Sequence, residues 1–229
     1  MNSENAPVIT VDGPSGSGKG TVCQKLADTL GFHLLDSGAI YRLTAVAALE
    51  ATVDLDDEGA VADIAKSLDI SFKTSDGGVL AFLQGRNVSR DIRMETASMG
   101  ASKVAAHPSV RAILLDRQRA FQQPPGLVAD GRDMGTTVFP DAPVKIYLTA
   151  SAEERAKRRY QQLIDRGESA NLRALLEDIE ARDTRDMQRS VSPLRPAVDA
   201  VELDSTSMSI QEVLDAVLNV VYQRFSITI

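Results

Sequence analysis

A glycine-rich segment near the start of the chain, Gly13–Thr21, constrains the fold more than any other feature. It follows a short β-branched apolar run, Pro7–Asp12, and leads into a helical pattern, Lys19–Leu30, that Gly31 ends. A strand, a glycine loop with the spacing Gly-x4-Gly-Lys and a helix are together typical of a loop that binds phosphate. Glycines let successive N–H groups point at phosphate oxygens, and the helix adds its positive dipole end. The predicted loop consists of Gly13, Pro14, Ser15, Gly16, Ser17, Gly18, Lys19, Gly20 and Thr21.

The residues around Lys19 narrow the type of loop. Lys19 can reach the β- and γ-phosphates of a nucleotide as a point charge. The hydroxyl that usually follows the lysine is displaced by one position, to Thr21, because Gly20 takes its place. The ligands of a metal ion are therefore left unknown. A dinucleotide loop is disfavoured because no Gly-x-Gly-x-x-Gly is present, and a guanine switch because no Asn-Lys-x-Asp is present. A glycine turn without a ligand is the remaining alternative.

Charge and its distribution limit the class of partner. The chain carries 25 Lys and Arg against 32 Asp and Glu, a formal net charge of −7, so we expect no nucleic-acid partner. Half of the arginines lie between Arg155 and Arg195. A guanidinium holds phosphate oxygens through two hydrogen bonds, so this cluster favours anion recognition. The alternative is a solvated helical surface, because acidic residues are interleaved with these arginines.

The remaining composition favours a soluble cytoplasmic protein of one domain. The 229 residues, 43% of them hydrophobic, suit one sizeable α/β core. The apolar run Val8–Val11 has no basic flank and is too short for a signal peptide, and no stretch approaches the ~18 apolar residues of a membrane span. One cysteine, Cys23, suits a reducing compartment and reads as a packed thiol. We expect a monomer, because no surplus apolar helix face stands out.

Strand and helix patterns alternate along the chain. Strands are predicted at Pro7–Asp12, His33–Asp36, Leu127–Asp130, Val144–Leu148 and Ala200–Leu203. Helices are predicted at Lys19–Leu30, Ser37–Leu49, Asp57–Leu68, Arg93–Ala105, Ser109–Gln123 and Asn171–Gln188, and after the capping residues Ser151 and Ser209. A hairpin, Ile70–Thr74 with Val79–Leu83, interrupts this order around the turn Ser75–Gly78. The pattern predicts an α/β P-loop fold of three layers, with a parallel sheet of about five strands and helices on both faces.

Three further polar segments point to one ligand. Asp36–Arg42 follows the second strand and Asp130–Asp133 follows the third buried strand, where a parallel sheet presents its ligand edge. Arg182, Asp186 and Arg189 have the spacing of one helix face. Together with Gly13–Thr21, these segments closely resemble the bacterial cytidylate kinase family. The resemblance covers nearly the whole chain, including the hairpin and the segment from Phe139 to Pro143.

The resemblance implies an enzyme that moves the γ-phosphoryl group of ATP, with Mg²⁺, onto CMP or dCMP. It implies that the acceptor nucleotide is held by Ser37, Tyr41 and Arg42, with Arg42 on its phosphate. The cytosine edge would be recognised by Ser102, Arg111 and Asp133. Phosphate contacts would come from Arg132 and Arg189, which with Lys19 form the catalytic set, and sugar contacts from Arg182 and Asp186. Asp130 is assigned to the substrate edge, and Arg158 to a clamp on the ATP side.

Several alternatives stay open. Arg182, Asp186 and Arg189 could form an exposed ladder of ion pairs, Arg111 could face solvent, and Asp130 could cap a turn. The run around Arg158 offers three neighbouring arginine and lysine candidates. A kinase for another small acceptor, a P-loop ATPase or switch, and a non-catalytic nucleotide-binding module are the rival functions.

The predicted domain is a single kinase domain over 1–229. Its core covers about 7–37, 103–150 and 175–229. The acceptor-binding insert covers about 38–102, and a helical lid about 151–174. Because water in an open site would hydrolyse ATP, we expect the insert and the lid to close over the substrates.

Overall fold

The structure is a computed structural model that describes residues 6–75 and 78–225. Its strands are β1 (Val8–Asp12), β2 (His33–Asp36), β3 (Ile70–Ser75), β4 (Gly78–Leu83), β5 (Arg86–Asn87), β6 (Leu127–Gly131), β7 (Val144–Thr149) and β8 (Val201–Asp204). Its α-helices are α1 (Lys19–Leu30), α2 (Ser37–Glu50), α3 (Glu58–Lys66), α4 (Glu95–Val104), α5 (Pro108–Arg119), α6 (Ala152–Asp165), α7 (Leu172–Met187) and α8 (Ile210–Phe225).

Five strands form a parallel sheet in the order β2-β6-β1-β7-β8, which confirms the predicted α/β fold with its parallel sheet. The central strand β1 is buried along its whole length, as its apolar sequence predicts for a strand covered on both faces. In the register, Asp12 pairs with Gly131 and Asp36 pairs with Asp130. The polar segments that follow these strands therefore start at the same edge of the sheet.

Helices α1 and α8 cover one face of the sheet. Their apolar side chains share a buried core with alternate residues of the central strands, because side chains along a strand point to opposite faces in turn. From the strands this core takes Ile9, Val11, Val128, Val144, Ile146 and Leu148, and from the helices Val22, Cys23, Leu26, Ala27, Val213, Leu214, Val217 and Val221. The predicted packed thiol at Cys23 is confirmed. No helix in the described part of the chain combines the length and the apolar character needed to cross a membrane.

The chain divides into two compact units. The first runs up to Asp36 and resumes at Arg119, and the second is Ser37–Gln118. This second unit extends to Gln118, whereas the predicted insert ends near residue 102. The extent of the insert and the existence of a lid stay predictions.

The second unit combines helices with a small antiparallel sheet, β3-β4-β5. Helices α2 and α4 approach closely, since a Cβ built at Gly100 would lie only 3.0 Å from the Cβ of Ala45. The hairpin prediction is confirmed for β3 and β4, and the predicted turn at Asp76 and Gly77 lies outside the described residues.

Some elements differ from the sequence prediction. Strand β5 was missed; it is joined to β4 by a two-residue turn in which Gln84 (φ 49°) and Gly85 (φ 77°) both adopt positive φ. Helix α4 begins at Glu95, after a short 3₁₀ turn at Asp91–Arg93, instead of at Arg93. Helix α5 ends at Arg119, four residues before its predicted end at Gln123.

Candidate functional site

The glycine loop leaves β1 in a backbone conformation that favours glycine. Gly13, Gly16 and Gly18 have φ values of 148°, 80° and 94°, in the region that residues with a side chain rarely adopt. A Cβ at Gly13 would also lie 2.0 Å from the carbonyl oxygen of Leu148 on β7. The loop therefore requires glycine for two reasons: the positive φ values, and the lack of space for a side chain at Gly13.

Side chains from other elements hold the carbonyl groups of the loop. Arg155 donates from Nη1 to the carbonyl oxygen of Ser15 (3.1 Å), and the Ser205 hydroxyl lies 3.1 Å from that of Ser17. Because a trans peptide unit carries its C=O and N–H on opposite sides, fixing a carbonyl fixes the direction of the following N–H. Arg155 is itself held by a forked ion pair with Asp183 (3.0 and 2.5 Å). The loop is thus preorganised by buried donors.

Lys19, the first residue of α1, is buried within the loop. Its Nζ donates to the carbonyl oxygen of Pro14 at 2.7 Å. Burial, with Arg132 nearby, lowers the pKa of Lys19 to about 8, and Asp130 and Asp12 act in the opposite direction. An ammonium group in this position is poorly compensated, which is a setting that favours an incoming anion.

Asp130 lies beside the start of α1. Its Oδ2 is 3.7 Å from the position that a Cβ at Gly20 would take. Asp130 also acts electrostatically on Lys19 and Arg132. Thr21, the displaced hydroxyl, is exposed. Within the described residues no cluster of three or more His, Cys, Asp or Glu side chains could hold a metal ion.

Asp12, the last residue of β1, is a buried carboxylate that the sequence analysis did not select. It accepts hydrogen bonds from the backbone N–H groups of Met134 and Gly135, each at 2.8 Å. Burial raises the pKa of Asp12 to about 7, assisted by Asp133 and opposed by those two hydrogen bonds and by Lys19.

A second buried carboxylate, Asp186, lies among arginines. Its Oδ2 accepts from Arg132 Nε at 3.0 Å, and its Oδ1 pairs with Arg189 Nη2 at 3.1 Å. Burial opposes ionisation, yet Arg132, Arg189 and Arg182 together hold the pKa of Asp186 below its ordinary value. The structure therefore brings these four predicted residues together around one buried carboxylate. The Arg189–Asp186 pair is only 5% exposed on each side, which excludes an exposed ladder at this position.

One detail of that prediction is wrong. Arg182 and Asp186 lie on α7, but the helix ends at Met187, so Arg189 does not share a helical face with them. Arg189 instead reaches Asp186 from the segment after the helix, and its Nε lies 3.3 Å from the carbonyl oxygen of Asp186.

In the second unit, Tyr41 of α2 and Arg111 of α5 are in contact. The Arg111 guanidinium lies 5.5 Å from the centre of the Tyr41 ring, and its Nη1 donates to the carbonyl oxygen of Ala105 (3.3 Å). Arg111 is 7% exposed, so the alternative that it faces solvent is wrong. Ser37, at the start of α2, donates to Gln118 Oε1 at 2.7 Å.

Ser102 on α4 is the predicted base-contacting hydroxyl of this unit. It is buried, and among the described residues its Oγ has no hydrogen-bond partner. Because a buried hydroxyl without a partner is unfavourable, this atom is suited to a polar ligand. Arg42, half-buried on α2, carries the predicted acceptor-phosphate contact. Roles for both residues stay predictions.

Arg158, the predicted clamp on the ATP side, is engaged within the first unit. It donates to Glu154 Oε1 (3.1 Å) and to the carbonyl oxygen of Ser205 (2.6 Å). Its neighbour Arg155 makes the stronger contact with the glycine loop. The sequence offered no signal that separated the two arginines, because the partner Asp183 is remote along the chain.

Comparison with known proteins identifies the family. A family model described as cytidylate kinase matches residues 9–223. A cytidylate kinase from Aeromonas salmonicida is 60% identical over 213 residues, 93% of each chain, and one from Stutzerimonas stutzeri is 60% identical over 220 residues, 95% of this chain and 96% of that protein. A solved shikimate kinase from Acinetobacter baumannii is 15% identical, with a TM-score of 0.45 over 95% of this chain and 94% of that one. This chain belongs to the cytidylate kinase family and is therefore a kinase of the nucleoside monophosphate kinase class.

Proposed function

We propose that this protein transfers the γ-phosphoryl group of ATP to CMP and dCMP, giving ADP with CDP or dCDP, as a cytoplasmic enzyme of pyrimidine nucleotide metabolism. The observation that carries the proposal is a preorganised glycine loop around the buried Lys19, in a chain 60% identical to proteins named cytidylate kinase. The loop supports the assignment of ATP as phosphoryl donor, and the family supports the assignment of CMP as acceptor. We further propose a monomer without a nucleic-acid or membrane partner.

On the donor side, the backbone N–H groups of the loop and Lys19 would hold the β- and γ-phosphates. Lys19 Nζ would exchange its hydrogen bond to Pro14 for phosphate oxygens and follow the charge during transfer. An anionic ligand would also raise the lowered pKa of Lys19, because an opposite charge favours the ammonium form. Arg158 would contact ATP in the closed enzyme.

The protein ligands available at this site suit a Mg²⁺ ion that binds together with the nucleotide. It keeps several waters and needs one or two carboxylates beside substrate phosphates, so the lack of a three-carboxylate cluster in the described residues is compatible with it. Asp130, which the resemblance assigns to the substrate edge, lies beside the start of α1, and we propose that its carboxylate would also serve this ion there. When bound, Mg²⁺ neutralises charge on the transferring phosphate.

On the acceptor side, Asp133 would accept a hydrogen bond from the cytosine amino group. Uracil presents an acceptor at that position, so a carboxylate there rejects UMP. Arg111 and Ser102 would satisfy the other polar atoms of the cytosine edge. Ser37, Tyr41 and Arg42 would hold the rest of the nucleotide, with Arg42 on its phosphate.

Transfer needs no general base, because a phosphate monoester is largely ionised near neutral pH. The protein contributes positioning and charge neutralisation. Asp186 pairs with the buried Arg189 side chain and with the partly buried Arg132 side chain, which keeps two guanidinium groups in place for phosphate oxygens. Arg182 and Asp186 would contact the sugar.

The acceptor is tested by ADP release with CMP, dCMP, UMP, AMP and GMP in turn, against a blank without acceptor. We expect CMP and dCMP to stimulate ADP release well above the blank and above the other three nucleotides. Equal rates with CMP and in the blank would contradict the proposal, and a larger rate with AMP or GMP would indicate a kinase for a different acceptor.

A further inference from the structure

The carboxylate of Asp12 connects two segments with different predicted functions: the glycine loop, predicted to bind ATP, and the segment after Asp133, which is predicted to recognise cytosine. Its strand β1 leads directly into the glycine loop, and its two oxygens accept from the N–H groups of Met134 and Gly135. Those two residues begin a single π-helical turn, Met134–Val138, that starts immediately after Asp133. Asp12 thus joins the origin of the loop to the residue predicted to recognise cytosine, across more than a hundred residues of sequence.

The N-terminal cap of the Met134–Val138 turn comes from a residue that is distant along the chain. The first N–H groups of a helical turn have no partner within it, and an Asp at the N-cap position normally accepts one of them. Asp133 occupies that position but makes no side-chain capping hydrogen bond. Asp12 accepts the first two N–H groups instead, so the Asp133 carboxylate is not needed as a cap.

We propose that Asp12 is a positioning residue of the nucleotide site, which caps the Met134–Val138 turn so that the Asp133 carboxylate keeps the orientation in which it recognises cytosine. The inference rests on the proposed function. It requires Asp12 to act through Asp133, without contact with a substrate.

The charge around Asp12 gives this role a pH dependence. The titratable and charged groups acting on it or coupled to it are Asp133, Lys19, Arg132, Tyr147 and Cys23. Burial raises the pKa of Asp12 to about 7, so a small fall in pH protonates it. Protonation weakens one of the two acceptors and removes a negative charge close to Lys19. A buried carboxylate that is costly to ionise at neutral pH is better explained by such a role than by stability.

The test is a double-mutant cycle of Asp12→Asn and Asp133→Asn, with CMP and UMP as acceptors. An amide at position 12 presents one acceptor and one donor to two backbone N–H donors. We expect the Asp12→Asn variant to lower the CMP-over-UMP ratio of kcat/KM by about tenfold, with the KM for ATP changed far less. In the Asp133→Asn background the same change should have little further effect, because its target is gone. Additive effects on the ratio, or an unchanged ratio in the single variant, would overturn the inference.

A matched control separates this role from capping in general. Asp57→Asn alters another capping carboxylate, which accepts from Ala60 N at 3.0 Å at the start of α3. That variant should keep the wild-type CMP-over-UMP ratio. In the wild-type enzyme, kcat/KM for CMP should also fall as pH decreases below about 7, because both Asp12 and the CMP phosphate become protonated. In the Asp12→Asn variant only the decrease caused by protonation of the CMP phosphate should remain. Identical pH profiles would count against the inference.

Hydrogen exchange distinguishes failure of this inference from failure of the proposed function. If wild-type protein does not phosphorylate CMP, the proposed function fails, whereas exchange still tests the cap. We expect the Met134 and Gly135 amides to exchange about tenfold faster or more in the Asp12→Asn variant, with the Ile146 amide of β7 unchanged. Unchanged exchange at Met134 and Gly135 would overturn the capping role even if the enzyme is active. If the Asp12→Asn variant does not fold, the pH profile of the wild-type enzyme tests the inference, and a profile without a decrease near pH 7 would overturn it.

Discussion

The end of β1 and the arginine cluster around Asp186 both contain buried ionisable groups, but their pKa values move in opposite directions. At the end of β1, burial raises the pKa of Asp12 to about 7 and lowers that of Lys19 to about 8. In the cluster, burial acts in the same sense, but the pKa of Asp186 is lowered and that of Arg132 is raised, because the two groups pair directly.

The difference shows that the partners of a buried group, more than burial itself, decide its charge. Asp12 accepts from neutral N–H groups, while Asp186 accepts from guanidinium groups. The cluster therefore keeps its charges throughout the physiological range, as the proposed phosphate contacts of Arg132 and Arg189 require. The end of β1 has charges that titrate near neutral pH, so its electrostatics respond to the ligand and to the proton concentration.

Replacing Lys19 with alanine should have the largest effect. It removes the cation that would follow charge during transfer, so we expect kcat to fall about 10²–10³-fold. The folded-state pKa of Lys19 lies below its ordinary 10.5, so this group stabilises the fold only at high pH, and the stabilisation is lost as pH falls through about 8. Its loss should therefore not lower the melting temperature at pH 7. Lys25→Ala, on the exposed side of α1, is the control; unfolding of the Lys19 variant would contradict this account.

Asp186→Asn should break the cluster itself. It leaves the buried Arg189 and the partly buried Arg132 without their acceptor, so we expect a loss of about 3 kcal/mol in the free energy of unfolding. Because the folded-state pKa of Asp186 is lowered, its stabilising effect is present above its ordinary pKa of 3.8 and is lost only as pH falls below that value. Denaturant unfolding at pH 7 and pH 4 measures both effects, and a loss confined to neutral pH would be inconsistent with this assignment.

The pH dependence of stability should have the opposite sign at Asp12. Its folded-state pKa is raised, so its contribution is fully present below 3.8 and is lost as pH rises through about 7. The Asp12→Asn variant should therefore gain stability relative to wild type as pH increases from 5 to 8. Melting temperatures of wild type and variant across that range provide the measurement. A difference in melting temperature that does not change with pH would contradict the contrast between Asp12 and Asp186.

The smallest effect is expected from Asp133→Asn, which should narrow the CMP-over-UMP ratio of kcat/KM by about tenfold. The change also removes a negative charge that raises the pKa of Asp12, so the acid limb of the rate profile should move to lower pH. Asp141→Asn, an exposed carboxylate further along the chain, should change neither quantity. An unchanged ratio would rule out base recognition by Asp133.

The sequence predicted the features that depend on local pattern. The glycine loop, the helix at Lys19–Leu30 and the positions of the five parallel strands along the chain follow from periodicity and from glycine conformations that a few adjacent residues determine. The second hairpin turn was missed because Gln84 adopts a positive φ of 49°, where asparagine or glycine is the usual signal.

The remaining features depend on contacts that are distant along the chain. Asp12 looked like the end of a strand, and nothing near it indicated that Met134 and Gly135 would donate to it. Arg155 could not be separated from its neighbours without Asp183, which lies on another helix. An acidic residue that ends a buried strand and directly precedes the glycine loop was the one signal that could have selected Asp12.

The central claim, phosphoryl transfer from ATP to CMP, is tested most directly by ³¹P NMR of the protein with ATP, Mg²⁺ and CMP. We predict that resonances of ADP and CDP grow together in equal amounts, at the expense of ATP and CMP. Accumulation of ADP with inorganic phosphate and without CDP would show an ATPase and would contradict the account.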